Sequence, residues 1–398
     1  MRILHTADWH LGRTLEGRDR KPEHEAFMDE LMTIIDEYAI DAILIAGDLF
    51  DSSNPPADAE RFYYESMRRL SDQGKRPVVL IAGNHDQPER LSAAMPLVQE
   101  QHIYMVGLPQ SAAVKIPIKR EKTHLHIAAL PYPSEARLKE SFSGAEAFSG
   151  DDETYRTEYD ERIARLFQQL SSGFTNGNVN MAMSHLFLAG GAGSESERPI
   201  EMGGAYTVRP RSLPENVAYT ALGHLHRPQW VKEAASPARY AGSPLAFSFN
   251  EAGTAKSVTV IDAKPDEQAQ VTEVPLSSGK RLTRWRATEG ISQVHRWLDE
   301  RHGMNDWIDV SIHSEHTLKP DEIQAIRRSH PGIVTIRTVL PEETLKPMES
   351  RQHLPIDELF RQFYEKKSDG ATPEPELTQL FLEILEEDDR LREEVTVR

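Results

Sequence analysis

Apolar runs of strand character that stop abruptly in polar residues recur at five places along the chain. Ile3–Asp8 (ILHTAD) runs into Trp9-His10, and Ala42–Ala46 (AILIA) into Gly47-Asp48-Leu49-Phe50-Asp51. Val78–Ala82 (VVLIA) runs into Gly83-Asn84-His85-Asp86, Val179–Ser184 (VNMAMS) into His185, and Ala218–Leu222 (AYTAL) into Gly223-His224-Leu225-His226. Short apolar runs bounded by turn residues read as buried strands. Between the first three, apolar positions at helical spacing predict helices over His24–Tyr38 (Ala26, Phe27, Leu31, Ile34, Ile35) and Ala57–Leu70. A further helix is predicted over Leu91–Gln101. The order β-α-β-α-β predicts a parallel sheet with right-handed crossovers. Ligands of such sheets gather at the carboxyl ends of the strands, where all five polar tails lie.

The pattern then shortens. IYMV, AVKIPI and THLHIAAL, between 103 and 131, predict further strands in mixed or antiparallel pairing. Glu135–Asp152 is rich in Gly and Ser, Tyr159–Leu170 has helical spacing, and Ala189–Gly204 reads as a loop between two polar tails. That loop is placed to touch substrate or a second subunit, or to be plain surface. Runs at 218–222, 239–241 and 257–262 complete a domain near 277. Residues 280–341 predict a small α/β unit: strand 281–287, helix 291–301, strand 307–313, helix 320–329, strand 333–340. Its first strand alternates Lys280, Arg281, Arg284 and Arg286 with Trp285. Cations with an aromatic among them suit phosphate contacts; an edge strand guarded by charge reads the same way. A proline-bearing linker, 342–355, leads to two amphipathic stripes within 356–398. Ile356, Leu359, Phe360 and Phe363 form one; Leu377, Leu380, Phe381, Ile384 and Leu385 form the other.

A chain of 398 residues with 38% hydrophobic content can fill two or three domains. It has no cysteine, so disulfides and thiolate metal sites are excluded. No run of about 18 apolar residues suggests a membrane span. The start, MRILHTADWH, lacks a signal-peptide pattern, so a cytoplasmic protein is expected. The net charge of −17 argues against a nucleic-acid substrate only if it is uniform. It is not: residues 280–341 carry +2, while 342–398 carry −8. Basic clusters also stand at Arg13–Lys21, Lys115–Lys122 and Lys280–Arg286.

The polar tails supply Asp8, His10, Asp48, Asn84, His185, His224 and His226, with His85 and Asp86 beside them. Oxygen and imidazole donors without sulfur suit Mn, Fe, Mg or Zn. Two such ions about 3.5–4 Å apart can activate a water at neutral pH and neutralise charge on a bound anion. A bridging ligand is best a carboxylate, and Asp48, on the central run, is the candidate. His5 reads as core or a support to the ligands; His124 and His126 read as structural; His295, His302, His313, His316 and His330 fall in the small unit.

D-x-H at 8–10, GD-x-x-D at 47–51, GNHD at 83–86, His185 and GH-x-H at 223–226 match, in order, the motifs of the calcineurin-like metallophosphoesterases, which this chain resembles. HTADWHLG and YAGSPLAFSFNE (240–251) resemble, more narrowly, the nuclease subunits of bacterial ATPase–nuclease complexes. The resemblance implies a layered α/β/β/α sandwich over 1–278, a DNA-facing cap at 279–341, a linker at 342–355 and a helix-loop-helix at 356–398. It implies two divalent ions, Mn²⁺ ahead of Mg²⁺. Asp8, His10, Asp48 and His226 would hold one, and Asp48, Asn84, His185 and His224 the other. His85 would be the acid for the leaving 3′ oxygen, with Asp86 orienting its ring. Lys280, Arg281, Arg284 and Arg286 would meet DNA. Leu359, Phe360, Phe363, Leu377, Leu380, Phe381 and Ile384 would dock the coiled coil of an ATPase subunit; folding back as a brace on residues 1–341 is the other use of those stripes. A homodimer within a heterotetramer is implied, through a first domain whose predicted second helix carries Phe62, Tyr63, Met67 and Leu70 beyond one narrow stripe. The implied activity is 3′→5′ double-strand exonuclease and single-strand or hairpin endonuclease, in DNA repair, recombination and replication, cytoplasmic and nucleoid-associated. Action on small phosphodiesters or phosphoproteins, and a noncatalytic scaffold, are the competing readings. The complete ligand set opposes the scaffold; the cap and terminal stripes oppose the small substrate. The chain has no GxxxxGK[ST] motif, so any ATP dependence belongs to a partner.

Overall fold

The computed structural model describes residues 1–118, 120, 122–134, 137–138, 152–194, 196–197 and 207–340, with isolated positions between 360 and 378. In chain order the elements are β1 (Arg2–Thr6), a small hairpin β2 (Thr14–Leu15) and β3 (Arg18–Asp19), α1 (Lys21–Glu37), β4 (Ala42–Ile45), α2 (Ala57–Ser71) and β5 (Val78–Ile81). Then come α3 (Pro88–Ser92), α4 (Met95–Val98), β6 (Ile103–Val106), β7 (Val114–Ile118), β8 (Thr123–Leu130), α5 (Asp152–Ser171), β9 (Val179–His185), β10 (Tyr219–Gly223), β11 (Gln229–Trp230) and β12 (Ala238–Tyr240). β13 (Ser257–Asp262) and β14 (Gln270–Pro275) complete the sheets, and β15 (Leu282–Ala287), α6 (Ile291–Asp299), β16 (Trp307–His313), α7 (Pro320–Ser329) and β17 (Ile333–Val339) form the cap.

Two six-stranded sheets stack face to face. One has the order β14-β13-β1-β4-β5-β6, the other β11-β12-β10-β9-β8-β7. Strands buried on both faces read as continuous apolar runs, and AILI shows how each residue is used. Ala42 and Leu44 point into the layer between the sheets with Val79, Ile81, Met181 and Ala221. Ile43 and Ile45 point outward onto Phe27, Leu31, Tyr63 and Met67 of α1 and α2. The second sheet covers its outer face with Tyr159, Ile163, Phe167 and Leu170 of α5. The result is the expected α/β/β/α sandwich. Tyr63, Met67 and Leu70 belong to the helix–sheet core and Phe62 packs against it, so α2 has no spare apolar stripe there.

The expected single helix over Leu91–Gln101 is instead two short helices and a 3₁₀ turn at Gln99–Gln101. Pro96 is the reason: it lacks an N–H and its ring obstructs the preceding turn, so the chain restarts with Pro96 in the first turn of α4. Among the segments between 103 and 131, Ile103–Val106 joins the first sheet parallel to β5, while β7 and β8 pair antiparallel in the second. β14 was not expected; its mostly exposed residues carry no strong apolar signal.

The cap elements fall within two residues of their expected bounds. Its core holds Trp285, Val294, Ile308, Val310, Ile326 and Ile333. A second cluster, Leu15, Phe249, Leu282, Trp307 and Val334, joins it to the sandwich. At this seam Glu23 accepts from Arg20 Nη2 at 2.9 Å, Lys280 N at 2.8 Å and Trp307 Nε1 at 2.9 Å. Met1–His313 with Leu318–Thr338 therefore make one compact unit. A second unit comprises Ser314–Thr317 and Val339–Arg398. In it the Phe360 and Tyr364 rings lie 6.2 Å apart and Leu377 is 36% exposed. Leu359, Phe363, Leu380, Phe381 and Ile384 lie outside the described residues.

Candidate metal centre

The loops after β1, β4, β5, β9 and β10 meet at one edge of the stacked sheets. Backbone bonds lace the first two together: Asp8 N donates to Gly47 O and His10 N to Asp48 O, each at 3.0 Å. Glycines permit the approach. A Cβ on Gly83 would lie 2.1 Å from Asp48 Oδ1, and one on Gly223 would lie 1.9 Å from Ala46 O. The ligand loops also carry unusual backbone. Asp8, His10, Asp48 and His224 have φ of 54°, 46°, 51° and 102°, a region that costs a non-glycine residue energy and clusters at functional sites.

All seven expected ligands converge. His10 Nε2 and His226 Nε2 are 3.0 Å apart, and His10 Nε2 is 3.6 Å from Asp48 Oδ2. His185 Nε2 lies 3.4 Å from Asp48 Oδ2 and 2.8 Å from Asn84 Oδ1, and His224 Nδ1 is 3.2 Å from the same Asn84 oxygen. Asp8, Asp48 and His185 form one compact group of donors, and Asp8, His10 and His226 another. Asp48 faces both His10 and His185, as the candidate bridge must.

The donor set fits divalent cations. Asp8 Oδ2 is buried with no hydrogen-bond partner among the described residues, a costly position for a carboxylate unless a cation takes the oxygen. The imidazoles are pre-set. His185 Nδ1 lies 2.8 Å from Ala46 O, a pure acceptor, so Nδ1 keeps a proton and Nε2 is the nitrogen that would turn to a cation. His226 Nδ1 is 2.6 Å from Ser196 Oγ, which donates to Glu251 Oε1 at 2.7 Å, so this ring too turns its Nε2 lone pair inward.

Charge follows the same plan. Burial pushes the Asp8 carboxyl up to about 7, with His185 and His226 opposing and Asp48 adding to the rise. Burial alone would raise Asp48 as well, yet His185 and His85 hold it well below the usual carboxylate range. Burial works against the charged form of His185, but Asp48 raises it to about 9. His10 is pushed down to about 3, chiefly by burial. Two buried carboxylates that draw His185 into its charged form make a site that holds positive charge, and a bound cation would take the place of that proton.

His85 joins the edge of this group. Its N–H donates to Asp48 Oδ1 at 2.9 Å, its Nδ1 lies 2.7 Å from Asp51 O, and its ring is 4.7 Å from that of His10. The expected role of Asp86 is corrected. Its oxygens accept from Gly83 N at 2.9 Å, Phe50 N at 3.0 Å and Leu49 N at 3.2 Å, so it ties two ligand loops together. The Asp51 carbonyl, not Asp86, orients the His85 ring.

Several supporting residues escaped the sequence reading. Asp51 Oδ1 is 3.3 Å from His10 Nδ1; as the second Asp of GD-x-x-D it was in view but given no role. Ser196 and Glu197 hold His226 from the 189–204 loop, Glu197 by accepting its backbone N–H at 2.8 Å. Glu251, its carboxyl held far below the usual range against the cost of burial by His226 and Lys256, closes YAGSPLAFSFNE. Lys256 is paired to Glu251 and donates to His226 O at 2.9 Å. Arg137 clamps the GNHD loop by donating to Gly83 O at 2.7 Å and Asp86 O at 2.6 Å.

The basic residues of the cap stand apart from the ligands. Arg281, Arg284 and Arg286 are exposed, and the Lys280 ammonium lies 4.4 Å above the Trp307 ring. Arg284 hydrogen-bonds Asn250, in the segment whose Phe247 ring packs 5.2 Å from that of His10. Trp285 is buried in the cap core, so the aromatic expected among phosphate contacts is not available to them. His5 bonds Tyr219 OH at 3.1 Å between the sheets, and His126 is buried mid-strand, both as expected of structural histidines.

Comparison with known proteins accounts for this arrangement. A family model described as calcineurin-like phosphoesterase matches residues 1–228. A second, described as type 5 capsule protein repressor C-terminal domain, matches residues 279–368. The chain is 51% identical to the SbcD component of the SbcCD nuclease of Bacillus subtilis over 394 residues, covering 98% of this chain and 100% of that protein. It is 35% identical to the protein of the same name from Rhodobacter capsulatus over 275 residues, 66% of each chain. It is 31% identical to that of Staphylococcus epidermidis over 282 residues, 71% of each. The chain belongs to the calcineurin-like phosphoesterases and, within them, to the SbcD family of SbcCD nuclease components.

Proposed function

We propose that this protein is the nuclease subunit of an ATP-dependent SbcCD-type complex, hydrolysing DNA phosphodiesters with two divalent ions, Mn²⁺ in preference to Mg²⁺. The observation that carries the reading is the convergence of Asp8, His10, Asp48, Asn84, His185, His224 and His226 about a buried Asp8 oxygen that has no hydrogen-bond partner among the described residues. Asp8, His10, Asp48 and His226 would hold one ion, and Asp48, Asn84, His185 and His224 the other. Bound ions would supply a water-derived nucleophile near neutral pH and offset charge on the phosphate. The chain's own groups do the rest. Asp51 O holds the proton on His85 Nδ1, so that when the ring is doubly protonated the second proton sits on Nε2, from which it would pass to the departing 3′ oxygen and leave a neutral imidazole. Asp86, Arg137 and the three-glycine junction at Gly47, Gly83 and Gly223 keep the loops in register.

The name of the relatives, a component of the SbcCD nuclease, supports an SbcC-type ATPase as partner; residues 356–398 would dock its coiled coil, this chain would form a homodimer within a heterotetramer, and the complex would act on duplex 3′ ends, single strands and hairpins in repair, recombination and replication. The cap at 279–341 would face DNA through Lys280, Arg281, Arg284 and Arg286. No helix among the described residues is long and apolar enough to cross a membrane; a cytoplasmic, nucleoid-associated setting would follow from the DNA-nuclease reading itself. The test is direct: purified protein with Mn²⁺ is given single-stranded circular DNA, duplex ends and bis(p-nitrophenyl) phosphate. Cleavage of all three is expected. Hydrolysis of the small ester alone would move the protein to the small-phosphodiester reading.

A further inference from the structure

Beside the metal centre, the loops following β9 and β10 enclose a cavity of about 830 Å³. Leu188 to Gly191, just beyond His185, make one wall; Arg227 to Trp230, just beyond His226, make another. The first wall is pinned. Gln229 donates to Ala192 O at 2.8 Å and accepts from Ala192 N at 2.9 Å. Gly191 sits so close to Leu225 that a Cβ would meet its Cδ1 at 2.7 Å. Trp230 stands on the second wall, half exposed, with no other exposed tryptophan among the described residues. The buried Arg239 guanidinium lies 5.4 Å from its ring centroid and is held by Glu273 at 2.7 Å. The indole is thus backed by an anchored cation and open to the cavity.

The cavity's charge opposes that of the chain. Four cations line it against one carboxylate, Glu233, in a protein of net charge −17. Arg209 is committed to Asp160 at 2.5 Å, but Arg211, Arg227 and Lys232 are exposed. An aromatic face among cations is the means by which proteins bind an unpaired strand: the base stacks on the ring and the cations meet the phosphates. Its distance from the metals is bounded. Four residues of chain from His226 reach at most about 14 Å. At about 3.4 Å per nucleotide of stacked strand, that Cα–Cα reach is roughly four nucleotides, to which the two side chains add, so the ring lies a few nucleotides from the scissile phosphate.

We infer that this cavity is a nucleobase subsite in which Trp230 stacks an unpaired base of the strand being cut, while Arg211, Arg227 and Lys232 hold its phosphates. The inference rests on the nuclease reading and adds to it a means of choosing unpaired strand, since a base inside a duplex has both faces covered by its neighbours.

The test uses the full-length protein and single-stranded oligonucleotides that carry one non-hydrolysable linkage and an abasic residue at successive distances from it. Unaltered protein should bind all of them except those whose abasic residue falls at one fixed distance, where affinity drops. Trp230→Ala should weaken binding of the intact oligonucleotide by about 5- to 150-fold, as for loss of one stacked base. It should also abolish the positional penalty, while Trp230→Phe keeps it. Circular dichroism of each variant guards against a folding defect. Wild-type affinity in Trp230→Ala, or an unchanged positional penalty, would overturn the subsite and leave the nuclease reading standing. Hydrolysis of bis(p-nitrophenyl) phosphate by unaltered protein that neither binds nor cuts DNA would overturn both.

Discussion

The metal centre and the cap are both edges of strands carrying charge, yet they use it in opposite ways. At the centre, Asp8, His10, His185, His224 and His226 are almost wholly buried, on backbone that four of the ligands hold at positive φ. In the cap, Arg281, Arg284 and Arg286 stand in solvent on a regular edge strand with no such strain. Buried charge without a partner is costly, so the centre needs a cation and a rigid frame to exist. Exposed arginines need neither, and any contact they made with phosphate would act through long-range attraction, which salt screens. Substitutions at the first should therefore act on chemistry in large steps, and those around the second should act on docking and leave chemistry alone.

The largest step is expected at Asp48, whose Oδ2 faces both His10 and His185. Asp48→Ala should abolish Mn²⁺-dependent cleavage of DNA and of bis(p-nitrophenyl) phosphate, with the far-ultraviolet circular dichroism spectrum retained. Cleavage by this variant at near wild-type rate would break the ligand assignment. His85→Gln should be next. It removes the proton donor but no ligand, so the rate should fall by roughly 10²–10⁴ while calorimetric metal titration stays unchanged. A variant that no longer binds Mn²⁺ would make His85 a ligand instead. Ser196→Ala should be smaller and of another kind. It leaves every candidate ligand in place but removes the hydroxyl that holds His226 Nδ1 and links it to Glu251. Metal affinity should drop about 10- to 100-fold, as when an outer-shell partner is lost, and activity should return at saturating Mn²⁺. Failure of excess metal to restore it would mean that Ser196 acts on substrate.

How much of this contrast could be read in advance follows from where each signal lies. AILI and VVLI were legible as strands because burial on both faces leaves no polar residue in the run. The convergence of the seven candidate ligands was legible because each sits where such a run stops. Ser196, Glu251 and Lys256 were not, because their network closes across gaps of 55 and 30 residues and no local pattern reports it. Arg284, Trp285 and Arg286 were read as one surface, but neighbours on a strand point to opposite faces. With both arginines outward, Trp285 must turn inward, which is what the cap core shows. Trp230 went unremarked because β11 is two residues long and offers no period.

The smallest effect on chemistry is expected at Glu23, which joins the cap to the sandwich. Burial would raise its carboxyl, but bonds from Arg20, then Trp307 and the Lys280 amide, hold it below its ordinary value of 4.5. A group depressed in the folded state stabilises fully above its unfolded value and loses that contribution as pH falls through the folded one. The seam should therefore be intact at neutral pH and loosen only below about pH 4.5, where Glu23 takes a proton. Glu23→Gln imposes the neutral state at every pH and strands Arg20, which is fully buried. Removing one partner of a buried pair costs about 3–5 kcal/mol; the lower end applies here, since Gln keeps one acceptor. Amides of β15 and β16 should then exchange about 10²-fold faster at pH 7. On acidification from about pH 5 to 3, exchange corrected for intrinsic rate should accelerate in the unaltered protein and much less in Glu23→Gln. Hydrolysis of bis(p-nitrophenyl) phosphate at pH 7 should be the same for both, because no ligand and no partner of a ligand has moved. A parallel loss of that activity would mean that the cap seam and the metal centre form one cooperative unit, and the contrast between the two regions would fall with it.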